Sequence, residues 1–219
     1  RVPVNQREYS WEDEQVKELF DDLFRAISQG AYFLGTVVLT KGKGGALEVA
    51  DGQQRLATIT ILLAAIRDHF FAKQDMLNVE SIEQEFLNTI DRSARKRVAR
   101  LALNVDDNEY FRRVILSRPG EPERQTPPQR DSHKAISRAQ RLAAKHVQSL
   151  VRTRSDIAQT ETLLHWVDFI GNSAQIILLT VPDHLNAFRM FETLNDRGLK
   201  TSQADLLKNY LFGEAGERI

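Results

Sequence analysis

The sequence predicts an α+β fold, and three observations carry that expectation. Val16, Leu19, Phe20, Leu23, Phe24 and Ile27 recur at three- and four-residue spacing, the buried stripe of an amphipathic helix. Gly35 to Thr40 (GTVVLT) and Ala46 to Ala50 (ALEVA) flank the turn sequence KGKGG, which reads as a β-hairpin. The stretch from about Leu56 to Phe71 is apolar on nearly every side, as expected of a central core helix.

The elements follow in order. Ser10 with Asp13 is a plausible capping pair for the first helix, and Gly30 ends it. Residues 76–117 read as mostly helical, with a short strand near 100–103. Residues 118–132 hold four of the six prolines and no apolar periodicity, the signature of a mobile loop or linker. Helices are expected at about 134–153 and 156–171. QIILLTV (175–181) reads as a buried strand stopped by Pro182, a helix follows at about 185–194, and Ser202 with Asp205 opens a last one. Two separated segments, 1–75 and 172–219, would form a core around a small sheet. The helical segment 76–171 would be inserted between them.

Composition narrows the function. Among 219 residues, 30 Lys and Arg balance 30 Asp and Glu, so total charge gives no reason to expect a nucleic-acid or membrane partner. Any such partner must be met by a local patch. The absence of cysteine excludes a disulfide framework, a thiolate metal site and a cysteine nucleophile. No apolar run reaches the roughly 20 residues that span a bilayer, and no secretory signal is visible, so a cytoplasmic protein is expected. The start at Arg1 and the stop soon after a helical pattern suggest a fragment that lacks a C-terminal partner domain.

Three clusters could carry chemistry. In EVADGQQRLATITILL a strand leads through Gly52 to a helix start, where outward-pointing backbone N–H groups form a ready anion site. Arg55 could hold two phosphate oxygens, and Gln53 and Gln54 can donate and accept hydrogen bonds. The plainer alternative is a capping box of Asp51 and Gln54 with Arg55 on the surface. In VPVNQREYSW, Gln6 and Arg7 could face an anion, while Tyr9 and Trp11 either stack on a base or pack in the core. In FETLNDRGLKTSQADLLKNYLF, Asn195 and Arg197 could make contacts around a turn at Gly198, or the stretch is simply one helix end followed by another start. Arg92, Arg95, Lys96, Arg97 and Arg100 form a basic run that reads either as a solvated helix face or as a nucleic-acid contact. The five histidines lack metal-ligand spacing. No GxxxxGK[ST], HExxH or GxSxG occurs, so a nucleotide site here would not be a P-loop.

Taken in order, QREYSW, GTVVL with VADGQQRLATI, and FETLNDRG with DLLKNYLF resemble the N-terminal domain of GmrSD-type, type IV restriction enzymes, related to domains of the BrxU and SspE defence proteins. The resemblance runs from residue 2 to about 212. It implies a ParB/sulfiredoxin-like fold: a small mixed β-sheet with helices and a helical insertion. It implies a domain that binds, and is expected to hydrolyse, a nucleoside triphosphate with Mg²⁺, the base being open. It further implies regulation of a C-terminal HNH-like nuclease domain or partner subunit against modified phage DNA. Carried over by position, Gln6, Arg7, Gly52, Arg55, Asn195, Arg197 and Gly198 would hold phosphates. Asp51, Gln53 and Gln54 would be catalytic, with Asp51 also the metal candidate. Ala57 and Thr201 depart from the family pattern. Two further readings stay open: a non-catalytic module that senses modified DNA, and a dimerisation or partner-docking domain.

Overall fold

In the computed structural model, residues 7–41, 47–91 and 95–181 are described. They form an α+β arrangement consistent with a ParB-like fold, in two compact units. Among described residues the first unit takes in 7–34, 53–91 and 95–175, and the second 35–41, 47–52 and 176–181.

The second unit is built on a three-stranded sheet in the order β2-β1-β5. β1 (Tyr32–Lys41) is the middle strand, and Leu34 through Thr40 are all buried. Successive side chains on a strand point to opposite faces, so an unbroken buried run means both faces of β1 are covered. β2 (Leu47–Asp51) pairs antiparallel with it, Val38 opposite Asp51 and Leu39 opposite Val49, with a register shift between them. The hairpin expected from sequence is therefore present, and its turn lies outside the described residues. β5 (Ala174–Val181) is the third strand, and Val38 and Val181 form a small buried cluster with Ala50 and Leu179 against it.

The first unit is helical. α1 (Asp13–Ala26) buries Val16, Leu19, Phe20, Leu23 and Ala26, the predicted stripe, while Phe24 stays exposed. Its start differs from expectation: Glu12, not Ser10, is the cap, in a reciprocal box with Gln15. α2 (Gln53–Ala72) is the central helix, packed by α3 (Met76–Ile82), α5 (Asp131–Val151) and α6 (Asp156–Asp168). It starts three residues earlier than its apolar pattern suggests, because Gln53, Gln54 and Arg55 are good helix formers that carry no hydrophobic signal. α3, α4 (Val105–Phe111) and α6 each end in a wide π turn, at Glu83–Leu87, Arg112–Leu116 and Phe169–Ser173.

The strand expected near 100–103 is instead a hairpin of β3 (Asn88–Asp91) and β4 (Lys96–Ala99). The basic run accordingly does not line a helix. Arg97 pairs with Glu83 at 3.4 Å, and Arg100 donates to the Gln84 carbonyl at 3.0 Å. The proline-rich stretch holds one 3₁₀ turn (Pro122–Gln125), tied by Arg124 to Asp68 at 2.6 Å.

Arg67 of α2 is fully buried. It donates to Asp68 Oδ1 (2.7 Å), to Glu83 Oε1 (3.1 Å) and to the carbonyls of Ile115 (3.0 Å), Leu116 (3.1 Å) and Ser117 (3.0 Å). Removing one partner of a buried pair strands the other charge, at roughly 3–5 kcal/mol. Arg67→Ala is therefore expected to lower the unfolding free energy in urea by about that much; a loss under about 1 kcal/mol would place Arg67 among ordinary surface residues. Burial pushes the Glu83 carboxyl up, but Arg118 and Arg67 outweigh it and hold it below the usual carboxylate range. A depressed carboxylate stabilises the fold above its unfolded pKa, ~4.3, and loses that contribution as pH falls through its folded value. Stability is expected to decline below about pH 4.5, and Glu83→Gln to flatten that slope in an acid titration.

Candidate functional site

The DGQQR segment divides between the two units. Asp51 ends β2 and Gly52 follows it, whereas Gln53, Gln54 and Arg55 form the first turn of α2. Gly52 has φ +90°, and a Cβ there would meet Val37 Cγ2 at 2.9 Å and the Thr36 carbonyl at 3.2 Å. Close approach to the neighbouring strand therefore already requires glycine at this position.

The first turn of α2 carries no acidic residue, so no carboxylate within that turn competes for its unpaired N–H groups. Gln54 spans the backbone of the N-terminal segment: its Nε2 donates to the Glu8 carbonyl at 3.0 Å, and its Oε1 accepts from Ser10 N–H at 3.0 Å. This two-ended clasp is its role in the described structure, in place of a capping box with Asp51. Tyr9, between those two residues, is buried and adds two more ties. Its N–H donates to Asp107 Oδ2 at 2.7 Å, and its phenol lies 2.8 Å from Thr58 Oγ1. Thr58 gives its one hydroxyl hydrogen to the Gln54 carbonyl (2.8 Å), so the Tyr9 phenol is the donor. Burial pushes that phenol up to about 12, consistent with a permanent donor. Core packing is thus what Tyr9 does. Arg130 closes the arrangement from α5's start, at 3.2 Å from Glu8 and 2.8 Å from Asp106.

With the segment held this way, Arg7 comes to line a small recess together with Tyr9, Gln53, Gln54, Ala57, Leu103, Asn104 and Asp107. Its lining holds the Arg7 guanidinium, the Gln53 amide and the buried Asp107 carboxylate beside the engaged amides of Gln54 and Asn104, a mixed set suited to a polar ligand. The recess thus joins Arg7 from the first motif with Gln53 and Gln54 from the second. Arg55 sits one residue on, braced on the Leu34 carbonyl at 2.7 Å. Gln6, Asn195, Arg197 and Gly198 lie outside the described residues.

Asn104 and Asp107 were not anticipated. Asn104 caps α4 by accepting from the Asp107 N–H at 2.9 Å, and the sequence NVDD could have signalled that cap. Asp107 is 1% exposed; its Oδ1 has no hydrogen-bond partner and stands 3.9 Å from His133 Nε2. The His133 ring is stacked on Tyr110, with centroids 4.1 Å apart, and His146 lies between Phe20 and Trp166 in the core. Among the described residues no group of three or more His, Cys, Asp or Glu could hold a metal ion.

The family model described as GmrSD restriction endonuclease, N-terminal domain, matches residues 1–212. The chain belongs to this family. No curated protein matches it. As a GmrSD N-terminal domain it is part of a restriction endonuclease acting in DNA defence. Among the described residues no helix is long and apolar enough to cross a membrane. Ala57 is 1% exposed and forms part of the recess wall.

Two substitutions test this geometry. Gln54→Ala removes both clasping bonds and should speed hydrogen exchange at the Tyr9 and Ser10 amides; unchanged exchange would show that the segment is held without it. Gly52→Ala should cost about 1–3 kcal/mol through backbone strain and the Val37 contact, read as a lower midpoint in urea.

Proposed function

We propose that this chain is a nucleoside-triphosphate-binding regulatory domain, with the triphosphate held at the head of α2. The observation that carries the reading is the seating of Arg7 beside Gln53 and Gln54, fixed by the Gln54 clasp and the buried Tyr9. An arginine and an acid-free helix start suit phosphate recognition. In this reading Arg7 and Arg55 neutralise phosphate oxygens, and Gln6, Gly52, Asn195, Arg197 and Gly198 complete the cradle. Gln53 orients the attacking water, and Gln54 acts by holding Arg7's segment in place. Magnesium commonly takes one or two protein carboxylates and fills its shell with water and substrate phosphates. In this reading Asp51 is the ligand assigned to it. Hydrolysis, acting on a C-terminal HNH-like nuclease domain or partner subunit, would couple nucleotide state to cleavage of modified DNA in the cytoplasm.

Calorimetry tests the binding step. ATP, GTP, CTP and UTP are titrated with Mg²⁺ into the chain, Arg7→Ala and Arg55→Ala. At least one nucleotide should saturate the wild type, with each variant weakened tenfold or more, since a charge-assisted contact is worth about 1.5–3 kcal/mol. Equal affinity in both folded variants would remove the triphosphate from this position. Loss of binding with Gln54→Ala would show that Arg7 must be held in place.

A further inference from the structure

The balanced total charge hides an unbalanced helix. From Ser132 to Arg154 the chain has six Lys or Arg and no Asp or Glu. On α5 and its cap, Lys134, Arg138, Arg141, Lys145 and Arg152 fall at successive steps of four, three, four and seven residues. Those steps repeat the helical period, so all five share one ridge, about 27 Å long at 1.5 Å per residue. The buried residues Ala135, Ile136, Ala139, Ala143, Val147 and Val151 occupy the opposite side. The ridge therefore faces solvent, while the apolar face is committed to the protein core.

Two of these charges are answered locally: Lys134 by Asp131 at 2.9 Å, and Arg138 by Asp13 of α1 at 3.5 Å. Arg141, Lys145 and Arg152 are exposed and make no ion pair among the described residues. Gln148 and Ser149, also exposed, lie between them.

We propose that this ridge, centred on Arg141, Lys145 and Arg152, binds the phosphate backbone of duplex DNA. Its chemistry separates that partner from others. No exposed aromatic interrupts the ridge, so it offers no stacking platform for single-stranded bases. It has no apolar anchor of the kind around which protein interfaces form. Its apolar face is buried, so the helix cannot lie in a membrane surface. A line of cations with interspersed amide and hydroxyl groups is what sequence-independent backbone contact uses, and the chain is a restriction-endonuclease domain. The acidic helix α1 packs on α5 and meets the ridge at Arg138, where Asp13 lies 3.5 Å away. The inference stands apart from the nucleotide reading.

The test is fluorescence anisotropy of a labelled 24-base-pair duplex with the whole 219-residue chain, over a range of salt concentrations. The wild type should bind, with log affinity falling against log salt at a slope of about −2.7 for three neutralised phosphates. Arg141→Gln with Lys145→Gln should weaken binding tenfold or more at low salt and reduce the slope by about two. Arg112→Gln with Arg113→Gln, exposed cations on a different element, should change neither. Calorimetric nucleotide binding is measured on the same proteins, so a failed nucleotide site and a failed ridge read out separately. No duplex binding by wild type, an unchanged slope in the α5 variant, or an equal loss in the Arg112/Arg113 control would each overturn the assignment, as would equal competition by polyglutamate, which would mark a general polyanion surface.

Discussion

The helical unit depends on how one buried positive charge is satisfied. A guanidinium has five N–H donors, and Arg67 delivers all five: one to Asp68, one to Glu83 and three to consecutive carbonyls of Ile115, Leu116 and Ser117. Those carbonyls belong to the last two residues of the π turn that ends α4 and to the residue after it, where the helix has run out of its own donors. Arg67 therefore closes a helix terminus from inside the core. Glu83, at the start of the π turn after α3, also receives Arg118 and Arg97. Three segments far apart in sequence are thus tied to the central helix by charge-assisted bonds. An apolar side chain at 67 could fill the space but would leave the carbonyls unpaired.

The same helix supplies the site from its other end. Gln54 and Thr58, one turn apart, meet the N-terminal segment through an amide and a hydroxyl, and Asp107 of α4 meets it from another side. Glu8, Tyr9 and Ser10 are consequently fixed by contacts from two helices, and Arg7 is positioned as the next residue outward. A single flexible cation at the surface would pay a large rotamer entropy to hold an anion; a braced backbone lowers that cost for Arg7. The segments QREYSW and DGQQR thereby acquire a shared physical purpose in this chain: Tyr9 and Gln54 secure the backbone that presents Arg7.

Much of this was legible in the sequence. α1 follows from its 3.6-residue apolar period, the β1–β2 hairpin from β-branched runs around a turn, and α2 and β5 from apolar runs. β5 nevertheless buries Val181 and leaves Ile176 and Leu178 exposed, rather than forming the fully buried strand expected. The β3–β4 hairpin escaped because TID and KRVA are short, charged and half exposed, so no alternation marks them. The π turns leave no pattern in side-chain type. Arg67 reads as an ordinary solvated arginine, since nothing near it in sequence announces partners about 50 residues away. The recess was half legible: motif order pointed to Arg7 and the two glutamines, but Asp107 touches Tyr9 across 98 residues and only the fold reveals it. The α5 ridge was fully written in the sequence, at spacings that a count of total charge averages away.

That averaging has a physical consequence. Residues 12–22 contain six acids and one lysine, residues 132–154 six cations and no acid, and α1 packs beside α5. The chain is neutral by segregation, with opposite signs side by side. Beyond a Debye length, about 8 Å at physiological salt, the two fields cancel and the molecule looks uncharged. Closer in, a polyanion meets whichever helix it is pressed against. Such a surface gives little long-range attraction, so binding of a duplex rests on contact at the ridge itself. It also orients the duplex it holds, because rotation by one helix spacing turns attraction into repulsion. The α1 acids therefore sharpen the placement that the α5 cations favour, and the pairing of Asp13 with Arg138 fixes the boundary between them.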